Sequence, residues 1–567
     1  MYILFISILF FFLPLLWLIR TTKASLFWIY LWQLKEYHPG RFKAHFSTQK
    51  GKRLLFNEYL FFKVSILLIL LFYWLLKDRL PQPFTRADFL SSGAHFLSDF
   101  LFTITLLIFS AVFLIYFAEV AIIIWRIIKD RLKKPVFTRK VILLFLFTLL
   151  VEIYLLLFLM QKIIDPNYYN IFYWYLIFGL LLFDILMPLI VSGIVLLFEP
   201  TAILWRKKII KKAREKRSRF SKLIVIGITG SYGKTSTKEF LYEILSSKFN
   251  VLKTKDHQNS EIGISRCILN DLNEEHEIFV CEMGAYSVGG IRLLSGIAKP
   301  KIGIMTGINA QHSATFGSLE DIINTKYELI ESLPKDGLAI FNGYNKYCRD
   351  LYEKTTIEKR ITNLDLRVEG IKVKKESLSF RVIKGKSSVD FKVNLLGKHW
   401  IEDILMAILA AQKLGMKLEE ISEACKKIKP LSGSLKLIRN NRGLNLLNAT
   451  YSANLNGVVS HLEYLKLWPG KKVIIMPCLI ELGAYSEQIH RIIGERIGKV
   501  CDLALVTHKE CFHSMKEGAI DSGMDQDNIV CLSDPSKIFD IVKDFSDEND
   551  VILLESRVSS QLLKLLR

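Results

Sequence analysis

No cysteine occurs before Cys267, and the eight that follow (Cys267, Cys281, Cys348, Cys425, Cys478, Cys501, Cys511, Cys531) form no C-x-x-C pair. That spacing indicates neither a zinc site nor a redox dithiol, so the eight read as reduced cytosolic thiols. A G-x-G-x-x-G loop is missing too, which removes the usual sign of a dinucleotide site. No basic region precedes the first apolar run and no small-residue cleavage site follows it, so that run reads as a span rather than a signal peptide. There is no internal repeat and no low-complexity tract beyond one basic segment. Acids are outnumbered, 55 Asp and Glu against 76 Lys and Arg, for a formal charge of +21.

What is abundant is apolar: 51% of the chain, high for a soluble protein. Five runs approach the length a bilayer requires: about Tyr2–Ile19, Leu60–Leu76, Phe100–Trp125, Val141–Met160 and Ile171–Phe198. The loop after the first is basic (Arg20, Lys23, Lys35, Arg41, Lys43, Lys50, Lys52, Arg53), as is the loop after the third (Arg126, Lys129, Arg131, Lys133, Lys134, Arg139, Lys140). The alternate loops carry only Lys77, Arg79 and Arg86, and Lys162. Basic loops stay in the cytoplasm, so a multi-pass protein with its N-terminus outside and its C-terminal part cytoplasmic is expected. The chain then meets a basic stretch from Arg206 to Arg219, suited to anionic headgroups. Topology thus explains much of the positive charge. The expected partner is the lipid bilayer, not nucleic acid. Three acids, Glu119, Glu152 and Asp184, fall inside the runs. Such acids are costly, and mark either a functional site or pairing within a helix bundle.

Behind the apolar part stands Ile228-Thr229-Gly230-Ser231-Tyr232-Gly233-Lys234-Thr235-Ser236-Thr237. An apolar run leads into it and an amphipathic run leaves it: strand, glycine loop, helix. Such a loop turns N–H groups and a positive helix end toward a phosphate. Lys234 would reach the outer phosphates and the Thr235 hydroxyl a Mg²⁺ ion. Position 228 is Ile where the usual longer pattern has a glycine. Strand-like and helix-like runs then alternate, which predicts a parallel α/β sheet. Residues 365–396 read as an inserted β ribbon, and a Rossmann-like pattern closes the chain. The expected fold class is an α-helical transmembrane bundle followed by α/β, a P-loop parallel-sheet domain and a Rossmann-like domain. The expected boundaries are 1–200 for the membrane domain with about five helices, 201–220 for a basic linker, 221–429 for the ATP-binding domain and 430–567 for the last domain.

Seven strings occur in order: ITGSYGKTST at 228–237, HQNSEIG at 257–263, CEMGA at 281–285, NAQHSATFGSLEDIINTKYELI at 309–330, LLGKHW at 395–400, YSAN at 451–454 and IELGAYSEQIH at 480–490. With them the chain from about Leu223 resembles the Mur ligases, and among these most the enzymes that add D-alanyl-D-alanine to a UDP-muramoyl tripeptide. The resemblance implies ATP-dependent amide formation through an acyl phosphate, with ATP and Mg²⁺ as cofactors. It implies that Thr229, Gly230, Ser231, Gly233, Lys234, Thr235, Ser236, Asn309 and Asn342 hold the nucleotide. Metal ligation would fall to Thr235, Glu282, His312 and Lys326, the last as a carbamate. Lys234, Lys326 and His312 would be catalytic. Asn259, Ser260, Tyr451 and Asn454 would face the substrates, a cell-wall precursor and an amino acid or dipeptide.

Departures from the family accompany the matches. Gly433 is followed by Ser434 where the family has Arg, with Lys436 or Arg439 as candidate substitutes. Ala449 stands for an Asp, Leu455 for a Pro, and Leu554-Glu555-Ser556-Arg557 for Lys-Gly-Ser-Arg. The family's UDP-sugar-binding domain gives way to apolar spans, which points to a lipid-linked acceptor at the cytoplasmic leaflet. The expected function is a membrane-anchored amide ligase of cell-envelope synthesis. The alternatives are a ligase making a capsule-type polyamide and an ATP-binding scaffold of weakened catalysis.

Overall fold

The computed structural model describes the chain apart from residues 1, 36, 38, 47–48, 77–91, 130–131, 162–168, 256–257, 312, 432, 440–442, 451–452 and 567. Two expected site residues, His312 and Tyr451, lie outside the described residues, as do the loop charges Lys77, Arg79, Arg86, Arg131 and Lys162. The described chain divides into two units, Met1–Leu204 and Trp205–Arg567.

In the first unit the uninterrupted apolar runs become long helices, which satisfy every backbone group within one segment. They are Tyr2–Leu34, Glu58–Leu76, Ser92–Ile128, Arg139–Gln161 and Tyr169–Ser218, with two short helices at Pro39–His45 and Gln49–Leu55. Among the described residues three stretches are long and apolar enough to cross a membrane: Leu107–Ile128, Arg139–Gln161 and Tyr175–Ser218. Leu13, Trp17, Trp32, Val112, Leu144 and Leu180 form part of the apolar centre.

Two of the three acids are ion-paired inside this unit, and the third is hydrogen-bonded. Arg20 and Lys63 each bridge both Glu119 and Asp184, with Arg20 Nε 3.3 Å from Glu119 and Lys63 Nζ 2.6 Å from Asp184. Tyr116 donates to Asp184 at 3.3 Å. Glu152 accepts from Thr21 and Thr22 at 3.4 and 3.1 Å. Two cations facing two anions neutralise one another, the condition under which buried charge is tolerated.

The last helix of this unit runs straight into the basic segment, to Ser218, so the expected linker is helical. Two of its cations turn inward. Lys216 donates to the Leu269 and Leu272 carbonyls at 3.0 and 2.7 Å, and Arg217 to those of Ala298 and Leu223 at 2.9 and 3.2 Å.

The second unit opens with β1 (Ile224–Thr229), β2 (Val251–Lys253), β3 (Ile278–Glu282), β4 (Ile302–Met305), β5 (Leu338–Phe341) and β6 (Glu358–Ile361). They form a wholly parallel sheet in the order β2-β3-β1-β4-β5-β6. Its central strands are apolar throughout because helices cover both faces. Phe240, Leu241 and Ile244 with Ile404, Leu405 and Ile408 fill one face. Ile264, Ile268, Leu294, Ile297, Ile322 and Leu329 fill the other. β7 (Arg367–Val373), β8 (Leu378–Lys384) and β9 (Ser387–Val393) make the expected antiparallel ribbon.

A second sheet follows, from β10 (Lys436–Arg439), β11 (Asn445–Ala449), β12 (Lys472–Met476), β13 (Leu503–Val506), β14 (Ile529–Cys531) and β15 (Val551–Glu555). Its order is β10-β11-β15-β12-β13-β14, parallel except for β10. One expectation fails here. Cys478 and Cys511 are joined in a disulfide, 33 residues apart with Cα atoms 5.9 Å apart, so not all eight cysteines are free thiols. Local spacing could not reveal the pair, because the fold brings the chain after β12 against the start of the helix Phe512–Asp521.

Candidate active site

β1 lies between β3 and β4, so successive crossovers diverge at its carboxyl end. That is where an open α/β sheet leaves a crevice for a ligand. The loop from Gly230 fills this end. Gly230 and Gly233 have φ of 156° and 77°, and a Cβ would lie 2.2 Å from Thr306 Oγ1 at the first and 2.6 Å from Asp403 Oδ1 at the second. Only glycine fits both. Gly233 caps the helix Lys234–Leu245, whose free N–H groups and dipole favour an anion.

Lys234 folds back over the loop, donating to the Gly230 and Ser231 carbonyls at 2.7 and 3.3 Å. Thr235 Oγ1 donates to Glu282 Oε2 at 3.0 Å, and Asn259 Nδ2 to Glu282 Oε1 at 3.0 Å. Glu282 is only 5% exposed. Burial pushes its carboxyl up, but Lys234, Lys238 and the Asn259 and Thr235 hydrogen bonds outweigh this and hold it below its ordinary value. Burial lowers Lys234, with Glu282 opposing. The Lys326 ammonium lies 3.5 Å from the Ala285 carbonyl. Burial first, then the Lys234 charge, lowers it to about 7, against the opposing Glu328. One cleft is lined by Gly230, Lys234, Asn259, Tyr286 and Lys326, so residues from four stretches of sequence meet there.

The remaining expected residues are placed as follows. Thr229 donates to the Met283 carbonyl at 3.0 Å. Ser231 and Asn309 are linked through Ser231 Oγ, which the Asn309 N–H reaches at 3.2 Å. Asn309 Nδ2 crosses to Asn456 at 3.1 Å. Asn342 is buried and donates to the Thr306 carbonyl and to Glu402, both at 2.8 Å. Ser236 donates to Asp403 at 2.6 Å. Ser260 and Asn454 cap the helices Glu261–Asn270 and Leu455–Leu465, accepting from Gly263 and Gly457. A capping side chain satisfies orphan N–H groups of its own helix.

Sequence reasoning missed Lys238 and Asp403. Lys238 is fully buried, 3.4 Å from Glu282 and 3.2 Å from Glu239. Asp403 accepts from Ser236 and Thr237, and burial pushes it up to about 7, the Ser236 hydrogen bond opposing. The signal available was an acid pair, Glu402-Asp403, opening an otherwise apolar helix.

The C-terminal positions that depart from the family are turned into structure. Ala449 is 3% exposed and pairs in register with Glu555. Glu555 is fully buried and its Oε2 meets His461 Nδ1 at 2.7 Å. His461 in turn lies edge-on to His399, with ring centroids 5.6 Å apart.

Comparison with known proteins agrees with this geometry. Residues 228–411 match the Mur ligase middle domain. The UDP-N-acetylmuramoyl-tripeptide–D-alanyl-D-alanine ligase of Bacillus subtilis (strain 168) is 28% identical over 347 residues, 60% of this chain and 75% of that one. The ligase of the same name from Escherichia coli (strain K12) is 30% identical over 277 residues, 48% and 61% of the two chains. The chain thus spans about three fifths to three quarters of these relatives. The solved structure of MurF ligase from Thermotoga maritima in complex with ADP superposes with a TM-score of 0.56 at 27% identity, covering 64% of this chain and 83% of that one. MurF from Acinetobacter baumannii shares the fold, with a TM-score of 0.58 at 23% identity over 64% and 80%. Residues 228–411 thus carry a Mur ligase middle domain, and the second unit is similar in sequence and fold to the MurF ligases.

Proposed function

We propose that this protein is a membrane-anchored, ATP-dependent amide ligase acting on a cell-wall peptide precursor. The observation that carries the reading is the convergence of Lys234, Thr235, Asn259, Glu282 and Lys326 at the carboxyl end of β1 and β3. ATP with Mg²⁺ supplies the phosphoryl group that turns a carboxylate into an acyl phosphate open to an amine.

The residues fit those cofactors. A hydroxyl and a buried, ionised carboxylate at 3.0 Å are the oxygen donors a hard cation takes, so Thr235 and Glu282 would hold it, with His312 as a further ligand. The glycine loop leaves N–H groups toward phosphate oxygens, and Lys234 swings from its carbonyls to place charge beside them. Asn259 fixes the Glu282 carboxylate. The buried Lys326 amine, lowered to about 7, is uncharged in enough molecules at neutral pH to react with CO₂ and become an anionic metal ligand. Asn309, spanning from the phosphate loop to Asn456, links the central sheet's crevice to the C-terminal sheet. Tyr451 and Asn454 would face the incoming amine.

The N-terminal helices support the anchoring half of the reading, with the ligase on the cytoplasmic side and a lipid-linked precursor as acceptor. A second reading, an ATP-binding scaffold, draws on Ser434, Ala449 and the buried Glu555. The test is product analysis with detergent-purified full chain, offered either UDP-muramoyl peptides or lipid-linked precursors with radiolabelled amino acids or dipeptides. Extension of the lipid-linked acceptor alone is expected. Equal extension of both would remove the lipid-linked proposal.

A further inference from the structure

The Cys478–Cys511 bond lies outside the chemistry above. It holds a loop that contacts Ser313, four residues beyond Asn309 of the phosphate site. Residues 477–486 leave β12 at the carboxyl edge of the C-terminal sheet. Cys478, 9% exposed, is bonded to Cys511, 5% exposed, at the N-cap of the helix Phe512–Asp521. His490 presents a ring nitrogen within 4.8 Å of both sulfurs. Its Nε2 accepts from the Leu479 N–H at 2.9 Å. Since that N–H can only donate, Nδ1 carries the proton and donates to the Ser486 carbonyl at 2.7 Å. Beyond this anchor Glu481 takes a φ of 65°, a conformation that persists only when its surroundings impose it. The Leu482 carbonyl then accepts from Ser313 Oγ at 2.5 Å. Ala310 packs against the same apolar cluster as Cys478, Leu482 and Cys511. Asn309, four residues before Ser313, meets the phosphate loop through its hydrogen bond to Ser231.

We propose that Cys478 and Cys511 are a reversible redox pair that sets the nucleotide affinity of the ligase. This regulatory reading rests on the proposed function, including its cytoplasmic side, where disulfides are typically transient or redox-sensing. In the oxidised form the bond and His490 pin the loop, Leu482 holds Ser313, and Asn309 stays against Ser231. In the reduced form one anchor is gone, and the strained loop relaxes away from Ser313. The co-reactant is a low-molecular-weight disulfide. A protein thiolate attacks it, forming a mixed disulfide and releasing one small thiol. The second protein thiolate attacks the mixed disulfide, closing Cys478–Cys511 and releasing the other small thiol. Two protein thiols are oxidised, one small disulfide is reduced, and both protons end on the small thiols. The helix N-terminus favours a thiolate at Cys511. His490 is a positioning residue that holds Leu479 and gives up no proton.

The test poises the purified full chain with graded glutathione and glutathione disulfide. It reads differential alkylation of Cys478 and Cys511 by mass spectrometry and, in parallel, the Kd of a fluorescent ATP analogue. The pair should titrate, and Kd should rise about five-fold or more on reduction. Cys531→Ser should behave as wild type. Cys478→Ser with Cys511→Ser should hold the weaker Kd at every poise. A bond that survives the most reducing poise, two sulfurs alkylated at every poise, or zinc bound to both thiols would overturn the proposal. A pair that titrates while Kd stays constant would overturn the coupling and leave the ligase reading standing. Failure to bind the nucleotide in either state would instead overturn the ligase reading.

Discussion

The two sheets of the ligase unit carry different chemistry at their polar positions. In the first sheet polar side chains are tied to one another around a ligand-sized gap: Thr235 and Asn259 on Glu282, and Lys234 on its own loop. In the second, the positions that depart from the family pattern are used in packing. Ala449 is buried in β11, Leu455 packs into the C-terminal core, and Glu555 is buried against His461. Under the proposed function, the difference means that one half of a site keeps its chemistry while the other is rebuilt, phosphate handling falling to the first sheet and amine handling to the second. Substitutions that act on one half alone test the separation.

Lys234→Ala should have the largest effect. It removes the cation at the phosphates and should lower ATP turnover about 10²–10³-fold, measured as ADP release, with the melting temperature unchanged. Next comes pH. Lys326, lowered to about 7, is protonated as pH falls below that value, and the protonated amine cannot react with CO₂. Below pH 7 the reactive fraction drops about ten-fold per pH unit. Activity should follow it on the acid side, with added bicarbonate raising it near neutrality. A flat profile from pH 6 to 8 would exclude a carbamate there.

Substitutions in the second half should move stability instead. His461→Ala leaves the buried Glu555 carboxylate without its partner and should cost about 1–3 kcal/mol, read by denaturant unfolding. The double change with Glu555→Gly should recover part of that loss, and simple additivity would refute the pairing. The smallest effect expected is for Asn454→Ala, a lost helix cap worth about 1 kcal/mol. If it also abolished amine use, Asn454 would be a substrate contact as well as a cap.

The phosphate loop, the alternation of strands and helices, and the ribbon at 365–396 were legible because each depends on local pattern: glycine spacing, apolar runs and period-two alternation. Cys478–Cys511, His461–Glu555 and Ser236–Asp403 were not. Each joins residues far apart in sequence through the packing of distant elements, which the local pattern does not carry. Ser260 and Asn454 show the converse. Their positions in family-like strings mark them as substrate contacts, while the local backbone uses them as caps. The helical continuation through Arg206–Ser218 was hidden because charge there suggested a linker, although nothing in the segment breaks a helix.

The most direct test of the central claim is ATP turnover by the detergent-purified full chain, with and without a membrane-lipid precursor extract, in wild type and Lys234→Ala. ADP and phosphate release that needs both the extract and Lys234 is the predicted result, and the modified lipid would then identify the acceptor. Tight ATP binding without turnover under any acceptor would contradict the ligase account and leave a nucleotide-binding scaffold in its place.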